Sequence, residues 1–122
     1  HIISGYNERI KYLCLQRLSD YHGMQEHYPE VISLCNLAID GLIQLKSYYL
    51  MDFFYYHKAL AYFYLDDFDK HKESLYRCYC ILHAEHIKAK IDKFSKRIEN
   101  DFHINFNQFI LDYTKEYIEK NG

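Results

Sequence analysis

The sequence predicts an all-α fold of six helices arranged as three hairpins. The 122 residues include only four Gly and one Pro, too few for the many turns of an all-β domain. A turn-centred pattern also occurs twice, as Tyr28-Pro29-Glu30-Val31 and as Asp67-Phe68-Asp69-Lys70, and each copy separates two long apolar stretches. Tyr28 and Phe68 are 40 positions apart, a spacing typical of stacked helical-hairpin repeats. We therefore expect a single helical-repeat domain over residues 1–122.

The composition narrows the class of protein. A hydrophobic content of 49% excludes disorder, and a net charge of −2 gives no overall attraction to nucleic acid or anionic lipid. No apolar run reaches the roughly 18 residues that a membrane span requires. The four cysteines do not resemble a small secreted disulfide framework, and no signal-peptide pattern opens the chain, so we expect a cytoplasmic location. Because the chain opens with His1 and not Met, we also expect it to be the C-terminal part of a longer chain.

The first hairpin is defined by its turn. Helix one is predicted over residues 7–21 and ends at Gly23 and the polar residues 25–27. Its apolar positions form one stripe that we expect to face the core, namely Ile10, Leu13, Cys14 and Leu18. Pro29 suits the first turn of helix two, because the N–H that it lacks would be unpaired there in any case. The apolar positions of helix two are Val31, Ile32, Cys35, Ala38, Ile39, Leu42 and Leu45.

The second hairpin contains the most apolar helix. Helix three, predicted over residues 47–65, has no polar face, because Tyr48–Met51 and Phe53–Tyr56 cover its circumference. A helix that is apolar on all sides is normally packed between other elements, so we expect it to be the central helix of the domain. Asp66 and Asp67 end this helix. Asp67 or Asp69 is expected to cap helix four, which continues to about residue 83.

The third hairpin is less regular. Helix five has an apolar stripe at Ile87, Ile91, Phe94 and Ile98, and its lysines alternate with Glu85, Asp92 and Glu99. We interpret this charged surface as a solvated face and not as a nucleic-acid site. Helix six carries more apolar side chains than one helix contact needs, at Phe106, Phe109, Ile110, Tyr113 and Tyr117. This excess predicts a homodimer through helix six, and the alternative is that helix six folds back over helix three.

These hairpins resemble the tetratricopeptide repeat, in which a W-x2-L-G-x2-Y helix is followed by a turn, an aromatic residue and an A-x3-F-x2-A helix. In the second hairpin the corresponding positions are Tyr55, Lys58, Ala59 and Tyr62, then Phe68, His71, Leu75 and Cys78. In the first hairpin they are Leu15, Leu18, Ser19 and His22, then Tyr28, Val31, Cys35 and Ala38. The third hairpin is degenerate. The resemblance implies a right-handed solenoid, and the alternative is a six-helix bundle without superhelical stacking.

A narrower resemblance concerns the run from Asp52 to Phe68, which is similar to the C-terminal repeat domains of Gram-positive transcriptional regulators. That family joins an N-terminal helix-turn-helix domain to helical repeats that sense a short peptide or mediate dimerisation. No helix-turn-helix is evident in these residues. The resemblance therefore implies the sensor part alone, with DNA bound only through a domain absent from this chain.

In such repeats the first helix of each hairpin lines a concave groove. The residues expected to line a peptide groove are Leu13, Gln16, Arg17, Asp20 and Met24 in hairpin one, Phe53, Tyr56, His57, Leu60, Phe63 and Tyr64 in hairpin two, and Asp92, Lys93 and Lys96 in hairpin three. Related peptide-binding repeats place an Asn where this chain has Arg17 and His57. Aromatic walls with a few charged groups suit an extended or helical peptide. The alternative is that these aromatics pack against a neighbouring helix.

Four cysteine and histidine residues near the end of helix four are of the types that bind metals. Cys78 and Cys80 are about 200° apart on one helix and cannot share an ion unless the helix breaks. Cys80, His83 and His86 lie closer together, but they span a broad arc and no fourth ligand is obvious, so we expect no metal and no cofactor. The chain has no G-x-S-x-G, P-loop or H-E-x-x-H motif, and we expect it not to be an enzyme.

Two functional hypotheses follow. In the first, the chain is a ligand- or peptide-sensing and dimerisation domain of a transcriptional regulator. In the second, it is a constitutive protein–protein interaction scaffold with no small ligand.

Overall fold

The computed structural model describes residues 2–121, with side chains from residue 7 onward, and within this range every regular element is an α-helix. The prediction of an all-α fold with six helices is confirmed. The helices are α1 (Ile2–Met24), α2 (Tyr28–Gln44), α3 (Met51–Tyr64), α4 (Phe68–Ala84), α5 (Lys88–Phe102) and α6 (Phe106–Asn121).

The chain divides into two compact units, His1–Ile81 and Leu82–Gly122. The division falls inside α4, so the first unit holds α1 to α3 and most of α4. The second unit holds the end of α4 with α5 and α6.

The 40-residue repeat extends to the bounds of the helices. α2 and α4 each have 17 residues, and their first residues are 40 positions apart. The turns that precede them are equivalent, because Glu26 and Asp66 have φ angles of 60° and 61°. The amide of His27 donates to the carbonyl of His22 at 2.8 Å, and Asp67 donates to Tyr62 at 2.9 Å. Each turn thus has the hydrogen bond of a Schellman motif, with a non-glycine residue in the left-handed position.

Helix starts follow the local sequence. Pro29 lies in the first turn of α2 as predicted. Asp67 caps α4, because its Oδ1 accepts a hydrogen bond from the Lys70 amide at 3.3 Å. Asn105 caps α6 in the same way, with 2.9 Å between its Oδ1 and the Gln108 amide nitrogen. Of the two predicted caps for α4, Asp67 is confirmed, whereas Asp69 lies within the first turn.

α3 is the most enclosed helix of the first unit, as predicted. Its buried residues are Met51, Phe54, Tyr55, Tyr56, Ala59 and Ala61. Among its residues only Tyr64 is exposed. The helix begins at Met51 and not at residue 47, because Lys46 and Leu50 have φ angles of 53° and 57°, which a continuous helix cannot accommodate.

The buried face of α1 differs from the predicted one. The predicted stripe is exposed, with 41% of Ile10, 40% of Leu13 and 47% of Leu18 accessible to solvent. Cys14 is exposed as well. The side chains that α1 buries are Tyr12, Leu15 and Ser19. Hydrophobicity favoured the wrong face because α1 is apolar on two sides, and the side that packs on α2 contains the small Ser19, whose Oγ lies 3.6 Å from Cys35 Sγ. The helix also extends further than predicted at both ends.

The second unit is built on the predicted stripe of α5. Phe94, Ile98 and Phe102 are buried, whereas Ile87 precedes the helix and is 38% exposed. Phe94 meets the ring of Phe106 edge-on, with ring centroids 6.0 Å apart. Phe109 is the buried residue of α6.

Candidate functional site

One line of largely aromatic and apolar side chains along α3 reaches solvent. Phe53, His57, Leu60 and Tyr64 recur at spacings of four, three and four residues, which places them within an arc of about 60°. Phe53, His57 and Leu60 are half-buried, and Tyr64 is 58% exposed. Tyr64, the one exposed residue of α3, lies on this line, so we take the line as the candidate contact surface of the helix.

α1 carries the equivalent line 40 positions earlier, at Leu13, Arg17, Asp20 and Met24. Leu13 is 40% exposed, Met24 is 81% exposed and Arg17 is exposed. The two lines meet where Nε2 of His57 lies 3.8 Å from Oδ1 of Asp20. We call these eight residues the α1/α3 surface.

The centre of the α1/α3 surface is a stacked and charged cluster. The imidazole of His57 lies on the ring of Phe53, with centroids 3.8 Å apart and planes inclined by 24°. The His57 side chain is 16% exposed and that of Asp20 is 46% exposed. The imidazole is therefore held in place by both helices, whereas the carboxylate of Asp20 remains accessible to a ligand.

Aromatic contacts hold the C-terminal end of α3 in place. The Tyr64 ring stacks on that of Tyr28, the first residue of α2, with centroids 5.0 Å apart and planes inclined by 15°. Burial raises the pKa of the Tyr28 hydroxyl, and the nearby Glu26 and Tyr64 raise it further. Tyr64 is thus exposed but positioned, which lowers the entropy that its ring would lose on binding.

Three residues predicted for the groove lie elsewhere or only beside it. Tyr56 is 3% exposed, so its ring belongs to the interior and is removed from the candidate site. Phe63 is half-buried and points to α4, where its ring centroid is 5.2 Å from that of His71 and 5.9 Å from that of Phe68. Gln16 is half-buried on α1, at the border of the exposed line. Sequence reasoning allotted too wide an arc of α3 to the groove.

The residues of helix five predicted for the groove belong to the second unit. Asp92, Lys93 and Lys96 are exposed on α5. Their participation in a groove with α1 and α3 stays a prediction.

The predicted dimer residues of α6 differ in exposure. Phe109 is 8% exposed and is part of the core of the second unit. Phe106, Ile110 and Tyr113 are half-buried, and Tyr117 is 50% exposed. The exposed apolar side chains of α6 also include Leu111 and Ile118, which the sequence analysis missed. Part of the apolar excess of α6 is therefore used within the second unit, and the homodimer stays a prediction.

The cysteine and histidine residues considered for a metal site have other surroundings. Cys78 is 2% exposed, and its Sγ lies 3.4 Å from the carbonyl oxygen of Asp52, to which it donates. Cys80 is exposed. Across residues 2–121, no three or more His, Cys, Asp or Glu side chains are grouped so that they could hold a metal ion.

Sequence reasoning missed a shallow cleft between α1 and α2. Its lining comes from the exposed side of α1 and the first turns of α2, at Leu18, His22, Pro29, Glu30, Ser33 and Leu34. The predicted core stripe of helix one contains Leu18, so the signal was present but assigned to the core.

The comparisons with known proteins give no relative. No family model matches the chain, and no significant match was found among curated proteins or solved structures. No helix within the described part of the chain is both long and apolar enough to cross a membrane.

Proposed function

We propose that the chain is a tetratricopeptide-like binding module that takes an extended or helical peptide segment on the α1/α3 surface. The observation that carries this proposal is the pair of equivalent lines on α1 and α3, related by 40 positions and joined at Asp20 and His57. In a solenoid, equivalent helices of successive repeats form one continuous binding face. The proposal includes the right-handed stacking that such a solenoid requires.

The chemistry of the α1/α3 surface suits a peptide with apolar side chains. Phe53 and Leu60 offer apolar contact area on α3, and Leu13 does so on α1. Asp20 can accept hydrogen bonds from a peptide backbone because nearly half of its side chain is accessible. Partly buried rings on a rigid helix bind at a low cost in conformational entropy.

We further propose that this module is the sensing and dimerisation part of a Gram-positive helix-turn-helix transcriptional regulator, acts in the cytoplasm, and has no enzymatic activity. The similarity of residues 52–68 to the repeat domains of such regulators supports this assignment, and α6 provides the proposed two-fold contact. The natural reading frame tests it, because a regulator requires a helix-turn-helix domain in the same polypeptide. The competing scaffold function predicts a reading frame without such a domain.

The groove is tested with peptides selected from a random display library against the chain. Binding of a selected peptide, measured by fluorescence anisotropy, should fall at least about tenfold for Leu60→Glu, because a half-buried apolar contact becomes charged. Leu111→Glu is the matched control, since Leu111 is 50% exposed on α6 and lies outside the α1/α3 surface. Equal losses for both variants, or no selectable peptide, would contradict the proposal.

The dimer is tested by light scattering at high micromolar concentration. We expect Tyr117→Asp with Ile118→Asp to yield a monomer with unchanged helicity, because both side chains are at least half exposed. Phe109→Asp is unsuitable as a test because Phe109 is buried, and a carboxylate at this position would destabilise the second unit. A wild-type chain that is monomeric throughout would rule out the dimer.

A further inference from the structure

The second hairpin has one side that the first hairpin covers. On α3, His57 lies beside Asp20 of α1, and Lys58 lies near the thiol of Cys35 on α2. Phe54 and Ala61 lie between these two directions on the helical wheel. They are 0% and 1% exposed, so α1 and α2 together close this side of α3.

The first hairpin has the same side, but nothing in the described chain covers it. The residues 40 positions before Phe54, Lys58 and Ala61 are Cys14, Leu18 and Tyr21. Leu18 is 47% exposed, Tyr21 is 57% exposed and Cys14 is exposed. We call these three residues, with Ile10 one turn earlier, the outer edge of α1.

The outer edge of α1 continues onto α2. Leu18 and Leu34 line the cleft between the two helices, and Leu37 is 58% exposed one turn further along α2. In the second hairpin the residue equivalent to Leu34 is Ser74, which is 3% exposed. The residue equivalent to Leu37 is Arg77, which is exposed, so at these positions an exposed apolar strip across two helices occurs in the first hairpin and not in the second. Exposed apolar strips of this kind mark interaction sites.

The positive charge of Arg17 lies next to the outer edge and would be complemented by a carboxylate. Arg17 is the equivalent of His57, which has the carboxylate of Asp20 as its partner on the preceding hairpin. Within the described residues, Arg17 itself has no hydrogen-bond or ion-pair partner. A two-fold contact between two copies of this edge would bring two uncompensated arginines near each other, which disfavours a second copy as the occupant.

We propose that the outer edge of α1 is the docking site for a further helical hairpin of the same polypeptide, which precedes α1. Its second helix packs along Cys14, Leu18 and Tyr21 as α2 packs on α3, and a carboxylate of its first helix meets Arg17. The same polypeptide is chosen as the source because the interface that this contact would repeat, between the first and second hairpins, is formed within one chain. Arg17 also belongs to the α1/α3 surface, whereas Cys14, Leu18 and Tyr21 lie outside it.

The test compares alkylation of Cys14 by a maleimide in the natural full-length polypeptide and in the chain of residues 1–122. Thiol modification requires access to the sulfur, so docking should slow the reaction of Cys14 in the full-length protein by at least about tenfold. Cys80 is exposed at the end of α4 and serves as the internal control, with an unchanged rate. Leu60→Glu should alter peptide binding but not the rate at Cys14, which separates this inference from the proposed function.

A double substitution in the outer edge of α1 tests the docking without the cysteine. Leu18→Glu with Tyr21→Glu should leave the melting temperature of the 122-residue chain nearly unchanged and lower that of the full-length protein. Equal alkylation of Cys14 in both proteins would overturn the inference, as would a reading frame with no helical hairpin before α1. Protection of Cys14 that appears in the 122-residue chain with rising concentration would assign the edge to a second copy and overturn it as well.

Discussion

Gly41 allows α2 to pack closely on Tyr12 of α1, and replacing it with Ala tests this contact. A Cβ at position 41 would overlap with the hydroxyl oxygen of Tyr12 and lie 3.3 Å from the ring carbon Cζ. Tyr12 is 2% exposed, so its ring has little room to move away. Gly41→Ala must therefore displace either the ring or the helix.

Two opposing effects set the magnitude. Ala is favoured over Gly in a helix interior by about 1 kcal/mol, whereas overpacking a confined site costs about 1–3 kcal/mol. We expect the overlap to dominate and Gly41→Ala to lower the free energy of unfolding by about 1 kcal/mol. Tyr12→Phe removes the overlapping oxygen, so in that background Gly41→Ala should be neutral or stabilising by up to about 1 kcal/mol.

The assay is urea denaturation of the wild type, the two single variants and the double variant, followed by circular dichroism. The cycle gives the coupling between the two positions, which we expect to be about 1–2 kcal/mol. If Gly41→Ala stabilises the wild type as much as it stabilises the Tyr12→Phe variant, the positions are uncoupled. The account of the α1–α2 contact would then be refuted.

Three further predictions follow from the burial of single side chains. His71 is 3% exposed, and burial lowers its pKa below the usual value. The unfolded state therefore binds more protons, and stability is lost as pH falls below about 6.5. The variant His71→Val should flatten this dependence in denaturation curves measured from pH 8 to 5. Phe54→Ala should cost about 3–5 kcal/mol because Phe54 is fully buried, and Leu60→Ala should cost clearly less in the same urea titration because Leu60 is half-buried. Cys14 should react with a maleimide in the native chain and Cys35 should not, because burial raises the pKa of the Cys35 thiol to about 11, and mass spectrometry of peptides would detect the difference.

The sequence was sufficient for the features that depend on local chemistry. The turn before α2, Pro29 in its first turn and the Asp67 cap all follow from residues that lie within one turn of each other. The exposed line of α3 was also included in the predicted groove. Its members could be found because the 40-residue spacing aligns α3 with α1.

Features that depend on tertiary packing were not predictable in the same way. α1 is apolar on two faces, and only the position of α2 determines that Tyr12 and Ser19 are buried while Leu18 is exposed. The start of α3 was misplaced because Leu50 adopts a positive φ without the glycine that usually signals it. Tyr56 was assigned to the groove because the width of the exposed arc on α3 is set by the neighbouring helices, which periodicity does not report.

The most direct test of the binding function is methyl NMR of the chain during titration with a selected peptide. The account predicts that the methyl signals of Leu13 and Leu60 shift together and saturate at one stoichiometry, because both side chains lie on the α1/α3 surface. Leu37 and Ile118 are more than half exposed on other faces and should remain unshifted. Shifts confined to Leu37 or Ile118, with Leu13 and Leu60 unchanged, would contradict the assignment of the α1/α3 surface as the binding site.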